Sequence, residues 1–330
     1  MIFNFEATGI GSVPFKDPRA ACEIILDNFP VIPFWPQLAR GGYRENMYVQ
    51  YSERLPGLVL DEKNRKIHID TAKAPAGIEA VYTKYLENDV EFFKISEDYA
   101  RGLYEFLSNA KNLPGTVKFL KGQITGPISY GLFLTDQDKR SILYDKDLFE
   151  VLTKVLVMKA KWQIRKLKAL RPDVIMFIDE PSLVSLGSSY VNINPAIAFE
   201  RLDELVKAIK DEGALCGLHC CGNTDWPALL ARDIDIINFD AYNFMKEFLL
   251  YGDEFKSFLR RGAGVAWGVV PTSEEIVKQT PAGLAQRLNG VSGSSLVTPS
   301  CGVGTLSEDI ALKVFRTTKE VSRLLRSAGS

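Results

Sequence analysis

Two short stretches of this chain carry residue types that could do chemistry together: His219-Cys220-Cys221 past the middle and Cys301 near the end. The 330 residues include only two histidines and five cysteines, so a grouping of three of these at strand ends is a specific expectation. One imidazole and two thiolates suit a borderline-soft, tetrahedral Zn²⁺. A donor set so rich in sulfur, without an obvious fourth neutral ligand, points to activation of a thiol more than to hydrolysis of an amide. Zn²⁺ keeps a bound thiol ionised near neutral pH. On an extended strand end His219 and Cys221 face the same way and Cys220 faces the helix layer. Asp240 is the candidate for a fourth, oxygen ligand. The spacing also fits a satisfied core histidine and, at Cys301, a small buried apolar side chain.

Such a group needs elements to hold it. Short β-rich runs alternate with long amphipathic stretches, the pattern of βα units. Eight runs read as strands: Thr8–Ser12, Val31–Pro36, Val117–Lys121, Val174–Ile178, Leu215–His219, Ile234–Phe239, Val265–Val269 and Ser295–Thr298. Eight is the number that closes a (β/α)₈ TIM barrel, and the length suits one such barrel. Asp147–Leu170, Pro195–Lys210 and Asp309–Leu325 read as helices from their apolar spacing and their boundaries. Residues 59–95 break the rhythm: they are charged and turn-rich, with a strand-like Val90–Ile95. They read as an insertion between strands 2 and 3, over the barrel mouth or beside it. No linker, low-complexity segment or repeat divides residues 1–330, so an α/β fold with a single domain is expected.

In a barrel of this kind the C-terminal strand ends build the site, and the polar residues here gather at those ends. Asp179 and Glu180 follow a buried strand, where alternation lets only one face the mouth squarely. Asp179 is the candidate to hold a substrate ammonium group, with Glu180 bonded to backbone or to a basic neighbour. An acidic strand end capping the next turn is the plainer alternative. Ile10-Gly11-Ser12 could turn backbone N–H groups toward a substrate carboxylate, since glycine tolerates close approach. No G-x-G-x-x-G follows, which disfavours a nucleotide fold. Trp35, Tyr43, Tyr130, Tyr242 and Trp267 lie near the expected mouth loops. Of these, Tyr130, Tyr242 and Trp267 are the candidates to stack on a large planar donor, although aromatics also pack cores. Arg40, Arg44 and Glu45 read as salt-bridged surface or as substrate contacts, and His68 as exposed.

Forty basic residues against 41 acidic ones, with no Lys/Arg block, argue against a nucleic-acid groove or an anionic-membrane surface. No apolar run approaches a spanning helix, and Met1–Thr8 contains Glu6 and lacks the basic start of a signal peptide. An odd number of cysteines, two of them adjacent, argues against a disulfide framework, so a reducing cytoplasm is expected.

Several of these motifs occur together in one known family. Ile10-Gly-Ser12, Arg44-Glu-Asn-Met47, Gly122-Gln-Ile-Thr-Gly-Pro127, Ile178-Asp-Glu-Pro-Ser-Leu183, His219-Cys-Cys221 and Pro299-Ser-Cys-Gly302 resemble, in that order, the catalytic half of cobalamin-independent methionine synthase. That family sits with the uroporphyrinogen decarboxylase-like barrels and the zinc methyltransferases that use methylated corrinoids. The resemblance runs from about residue 8 to 325. It implies a (β/α)₈ barrel with catalytic zinc held by His219, Cys221 and Cys301, on which the homocysteine sulfur binds before attacking a methyl group. It also implies that Asp179 binds the homocysteine amine and that Ile10–Ser12 contact its amino-acid portion.

Three departures shape the functional expectation. Asp240 stands where the family has a ligating glutamate. The stretch Arg40–Tyr43 lacks the acidic residue that the family uses near the amine. The additional N-terminal barrel that helps hold the folate donor in two-barrel synthases has no counterpart in this chain, and His219-Cys-Cys-Gly-Asn223 partly matches the His-x-Cys-Gly signature of corrinoid-dependent methyltransferases. The expectation is therefore a zinc-dependent thiol S-methyltransferase that converts homocysteine to methionine. Methylcobalamin or a methylated corrinoid protein is the expected donor. Methyltetrahydrofolate as donor, a coenzyme thiol as acceptor, a metal-free porphyrinogen decarboxylase and a non-catalytic corrinoid carrier are the alternatives.

Overall fold

The computed structural model describes residues 3–109, 113–188, 191–291 and 293–328. Its strands are β1 (Asn4–Ala7), β2 (Ser12–Val13), β3 (Gln37–Leu38), β4 (Leu58–Asp61), β5 (Lys66–Ile69), β6 (Leu120–Thr125), β7 (Val174–Asp179), β8 (Leu215–Cys220), β9 (Ile236–Phe239), β10 (Gly264–Val270) and β11 (Ser294–Pro299). Its α-helices are α1 (Pro18–Asn28), α2 (Ala74–Leu86), α3 (Arg101–Asn109), α4 (Pro127–Phe133), α5 (Lys146–Lys168), α6 (Pro195–Asp211), α7 (Trp226–Leu230), α8 (Ala241–Leu249), α9 (Gly252–Arg260), α10 (Pro281–Gln286) and α11 (Glu308–Ala328). Seven strands form one curled sheet in the order β1-β11-β10-β9-β8-β7-β6, every pair parallel. Helices follow the strands and cover the outer face, so these strands are apolar on both sides.

Alternation divides each strand between two cores. Ile175 and Phe177 of β7, Ile236 of β9, Ala266 of β10 and Leu296 of β11 meet Phe3, Ile32 and Phe119 inside the curl. Val174, Met176, Cys216, Leu218, Val265, Trp267 and Val297 point outward into the larger cluster shared with the helices. Further along the same inner faces the residues turn polar: Lys121, Gln123 and Thr125 on β6, Asp179 on β7, His219 on β8, Asn238 on β9 and Thr298 on β11, all buried. The inside of the curl is thus apolar at the N-terminal strand ends and polar at the C-terminal ends.

The expected run Val31–Pro36 is not a strand. Prolines at 30, 33 and 36 remove donors that a ladder needs. The run still lies beside β6, with an isolated bridge Phe34–Lys121 and backbone bonds from Lys118 and Lys121 to Val31 and Pro33. On its other side Thr8 Oγ1 donates to the Ile32 carbonyl at 2.8 Å. Two other expected strands are displaced. The first is β1, four residues upstream of Thr8, and the third is β6, which begins at Leu120 and runs on to Thr125. The run Val90–Ile95 is a 3₁₀ turn, Val90–Phe93, which Asp89 caps by accepting from Phe92 N. The rest of 59–95 forms the antiparallel hairpin β4–β5 and helix α2, which lies on α5. No helix among the described residues is long and apolar enough to cross a membrane.

Candidate metal centre

His219 ends the inner face of β8, and Cys221 follows on the same side two residues later. Cys301 follows β11, three places along the sheet. Curling brings them together: His219 Nε2 lies 3.0 Å from Cys221 Sγ, which lies 3.0 Å from Cys301 Sγ. One ligand atom from each of the three falls within 4.8 Å of the others, and this is the one such group of His, Cys, Asp and Glu found among the described residues. A tetrahedral Zn²⁺ with bonds of about 2.0–2.3 Å sets its ligand atoms roughly 3.5–3.8 Å apart, so the two 3.0 Å contacts would open by roughly half an ångström or more around the ion. The donor types fit the ion, and the three side chains converge closely enough to share it. Cys220 is buried in the helix layer, as alternation requires. All five cysteines are free.

The imidazole is fixed from behind. Asn238 Nδ2 donates to the Ala266 carbonyl at 2.7 Å and to Thr298 Oγ1 at 2.8 Å. Its Oδ1 therefore accepts from His219 Nδ1, at 2.5 Å. That tautomer leaves the Nε2 lone pair aimed at the sulfurs, the arrangement that metal-binding histidines need. Asn238→Ala should lower metal affinity about 10–100-fold while leaving the three ligands in place. Competition with a chromophoric chelator measures this, and an unchanged affinity would remove Asn238 from the centre.

The two sulfurs titrate as a pair. The hydrogen bond from Cys221, with the nearby imidazole, holds the Cys301 thiol down at about 4 against the effect of burial. Cys221 is pushed up by that same bond and by burial.

The loop after β1 supports Cys301. A Cβ on Gly302 would stand 2.1 Å from Ser12 Oγ, so the glycine lets the two segments meet without moving the serine hydroxyl. Val303 N donates to the Ser12 carbonyl at 3.0 Å, and Arg40 reaches the carbonyls of Thr305 and Leu306. Ile10 accepts at its carbonyl from Lys121 Nζ at 2.5 Å. Burial lowers this interior lysine to about 7, with Asp179 working the other way.

Asp179 sits beside His219 in the strand register. Burial raises its carboxyl to about 6, while His219 and Lys121 oppose the rise. Its Oδ1 is buried without a hydrogen-bond partner. Glu180 turns the other way and caps α4, accepting from Ile128 N, Ser129 N and Ser129 Oγ at 2.9, 2.7 and 2.6 Å. A Cβ at Gly126 would lie 2.2 Å from this carboxylate, so the glycine makes room for the cap.

Other candidates lie elsewhere. Asp240 caps α8, accepting from Asn243 N and Asn243 Nδ2 at 3.0 and 2.7 Å, and is not in the three-residue group. Trp267 is fully buried among Phe239, Phe248 and Phe255 in the helix layer, because Ala266 takes the inner face. Tyr130 is fully buried in α4. Tyr242 is half-buried with the Arg287 guanidinium 4.6 Å from its ring centre. Arg44 bridges Glu62 of the inter-strand turn and Asp98, and Glu45 pairs with Arg101. His68, on β5, is half-buried rather than exposed. The aromatic side chain close enough to feel the charges of the centre is Tyr48, which stacks on Phe133 at 4.0 Å. Burial raises the Tyr48 phenol to about 12, helped by the charges of Glu180, Cys221 and Asp179.

No family model matches the chain, and no curated protein matches it. Solved structures do. The chain shares its fold with a methyltransferase from Methanosarcina mazei. That match has a TM-score of 0.61 at 12% identity and covers 100% of this chain and 95% of the other. A B12-independent methionine synthase from Shewanella sp. W3-18-1, in complex with selenomethionine, matches with a TM-score of 0.48 at 18% identity, over 68% of this chain and 67% of that one.

Proposed function

We propose that the chain is a single-domain (β/α)₈ barrel enzyme, with residues 59–95 as an insertion, that transfers a methyl group to the thiol of homocysteine and forms methionine. The proposed donor is methylcobalamin or a methylated corrinoid protein, and the proposed setting is the reducing cytoplasm. The observation that carries this reading is the convergence of His219, Cys221 and Cys301 at the polar end of the curl. The fold shared over its full length with a methyltransferase supports it. The run 31–36, lying between β6 and Thr8, takes the eighth position of the ring in this reading.

A Zn²⁺ held by the three side chains would supply a thiol ionised at neutral pH. The chain's own residues do the rest. Asn238 holds His219 in its binding tautomer. Asp179, beside the group, offers an acceptor to a substrate ammonium, and the Ile10–Ser12 turn faces the rest of the amino acid. The sulfur lone pair forms the new S–C bond as the donor–methyl bond breaks, and that bonding pair stays with the donor. In-line placement of the two reactants supplies much of the rate. Asp240, whose carboxylate caps α8, is proposed to ligate the ion, to reach it through water or to orient one of its ligands.

The test pairs homocysteine and a coenzyme thiol with methylcobalamin and methyltetrahydrofolate and follows methylated product by mass spectrometry. Methionine from methylcobalamin is the expected result. Turnover with the folate alone overturns the donor, and no methylated thiol in any pairing overturns the reading.

A further inference from the structure

Two buried oxygens on the inner face lack hydrogen-bond partners: Asp179 Oδ1 on β7 and Gln123 Oε1 on β6. Buried acceptors normally find a donor, so each unmatched one points to something that binds there. The Gln123 amide is not free to swing. Its Nε2 donates to the Trp35 carbonyl at 3.0 Å, which turns Oε1 the other way. The side chain also lies against the Gly11 turn, where a Cβ would meet Gln123 Cγ and Cδ at 3.0 Å. In the register Gln123 faces Phe177 and Thr125 faces Asp179, so the two acceptors are diagonal neighbours on one face. Tyr51 packs at the same place: its hydroxyl donates to the main-chain carbonyl of Gln123 at 2.9 Å, which leaves Gln123 Oε1 unmatched, and its phenol is raised by burial and by the charge of Asp179. Two acceptors, one charged and one neutral, suit a group with several N–H donors and a positive charge.

We propose that Gln123 is a specificity-determining residue whose Oε1 accepts a hydrogen bond from the primary ammonium group of the thiol substrate, beside Asp179. The proposal rests on the thiol-transfer reading above. The acceptor chemistry selects an amino thiol over the same thiol without nitrogen, because the latter leaves two buried acceptors unmatched.

Titration calorimetry on the zinc-loaded protein tests this with homocysteine and 4-mercaptobutyrate, which differ only in the amino group. Wild type is expected to bind homocysteine at least about tenfold more tightly than 4-mercaptobutyrate. Gln123→Met should lose most of that preference by weakening homocysteine alone, with 4-mercaptobutyrate changed less than about twofold. Gln123→Glu, which keeps an acceptor there, should retain a preference. Equal preference in wild type and Gln123→Met, or equal weakening of both thiols, overturns the role of Gln123 and leaves thiol transfer standing. Failure of both thiols to bind wild type overturns the thiol-transfer reading and this proposal with it.

Discussion

Cys301→Ser and Cys221→Ser should each strip the protein of stoichiometric zinc and lower methyl transfer by about a thousandfold or more. Both sulfurs sit in the group with His219 Nε2, and each variant replaces a soft donor with a neutral hydroxyl. Cys220→Ser is the matched control. Its neighbour in sequence is a ligand candidate, yet its own sulfur lies in the helix layer. Metal analysis of the purified variants decides the matter: full zinc in Cys301→Ser, or zinc lost equally in Cys220→Ser, would break the assignment. Dialysis against a strong chelator should abolish turnover, and added Zn²⁺ should restore it.

The second large effect is on stability. Glu180→Ala removes three hydrogen bonds from the start of α4 and leaves two buried backbone N–H groups unmatched. A loss of about 3–5 kcal/mol in urea unfolding is expected. The pH dependence has a definite sign. Burial raises the Glu180 carboxyl from 4.5 to about 7, so between those values the folded state holds a proton that the unfolded chain has released. Its contribution is fully present at the acid end and shrinks as pH rises through that window. The stability of wild type relative to Glu180→Gln should therefore fall between about pH 4.5 and 7. A difference that grows with pH would mean that the three donors outweigh burial.

Much of this was legible in the chain, for reasons that particular residues make plain. The strands β7, β8, β10 and β11 are apolar on both faces and stood out as short runs. The two-residue spacing of His219 and Cys221 was enough to place both inside and Cys220 outside. Trp267 was different: Val265–Val269 is apolar throughout, so nothing in the run says which parity faces inward until Ala266 is seen against Leu296. Val31–Pro36 has the apolar content of a strand, and its prolines decide against one. Asn238, Lys121 and Gln123 stand at the strand ends where polar residues gather, but their types alone assign them no individual role. A polar side chain at alternate positions of a buried strand, as in Leu120-Lys-Gly-Gln-Ile-Thr125, marks the inner face near a site. Tyr48 had no such mark, since its place depends on how the loop after β3 folds back.

The apolar plug of Phe3, Ile32, Phe119, Phe177, Ile236 and Leu296 has a kinetic consequence. It fills the far end of the curl, which leaves the polar end as the side by which the reactants of the proposed transfer arrive and depart. The reactant that reaches deepest has to enter ahead of its bulkier companion and cannot escape until that companion has gone. For the proposed thiol transfer, an ordered, sequential rate law is the expected result, in which the methylated acceptor, as last product released, competes with fresh acceptor for the empty enzyme.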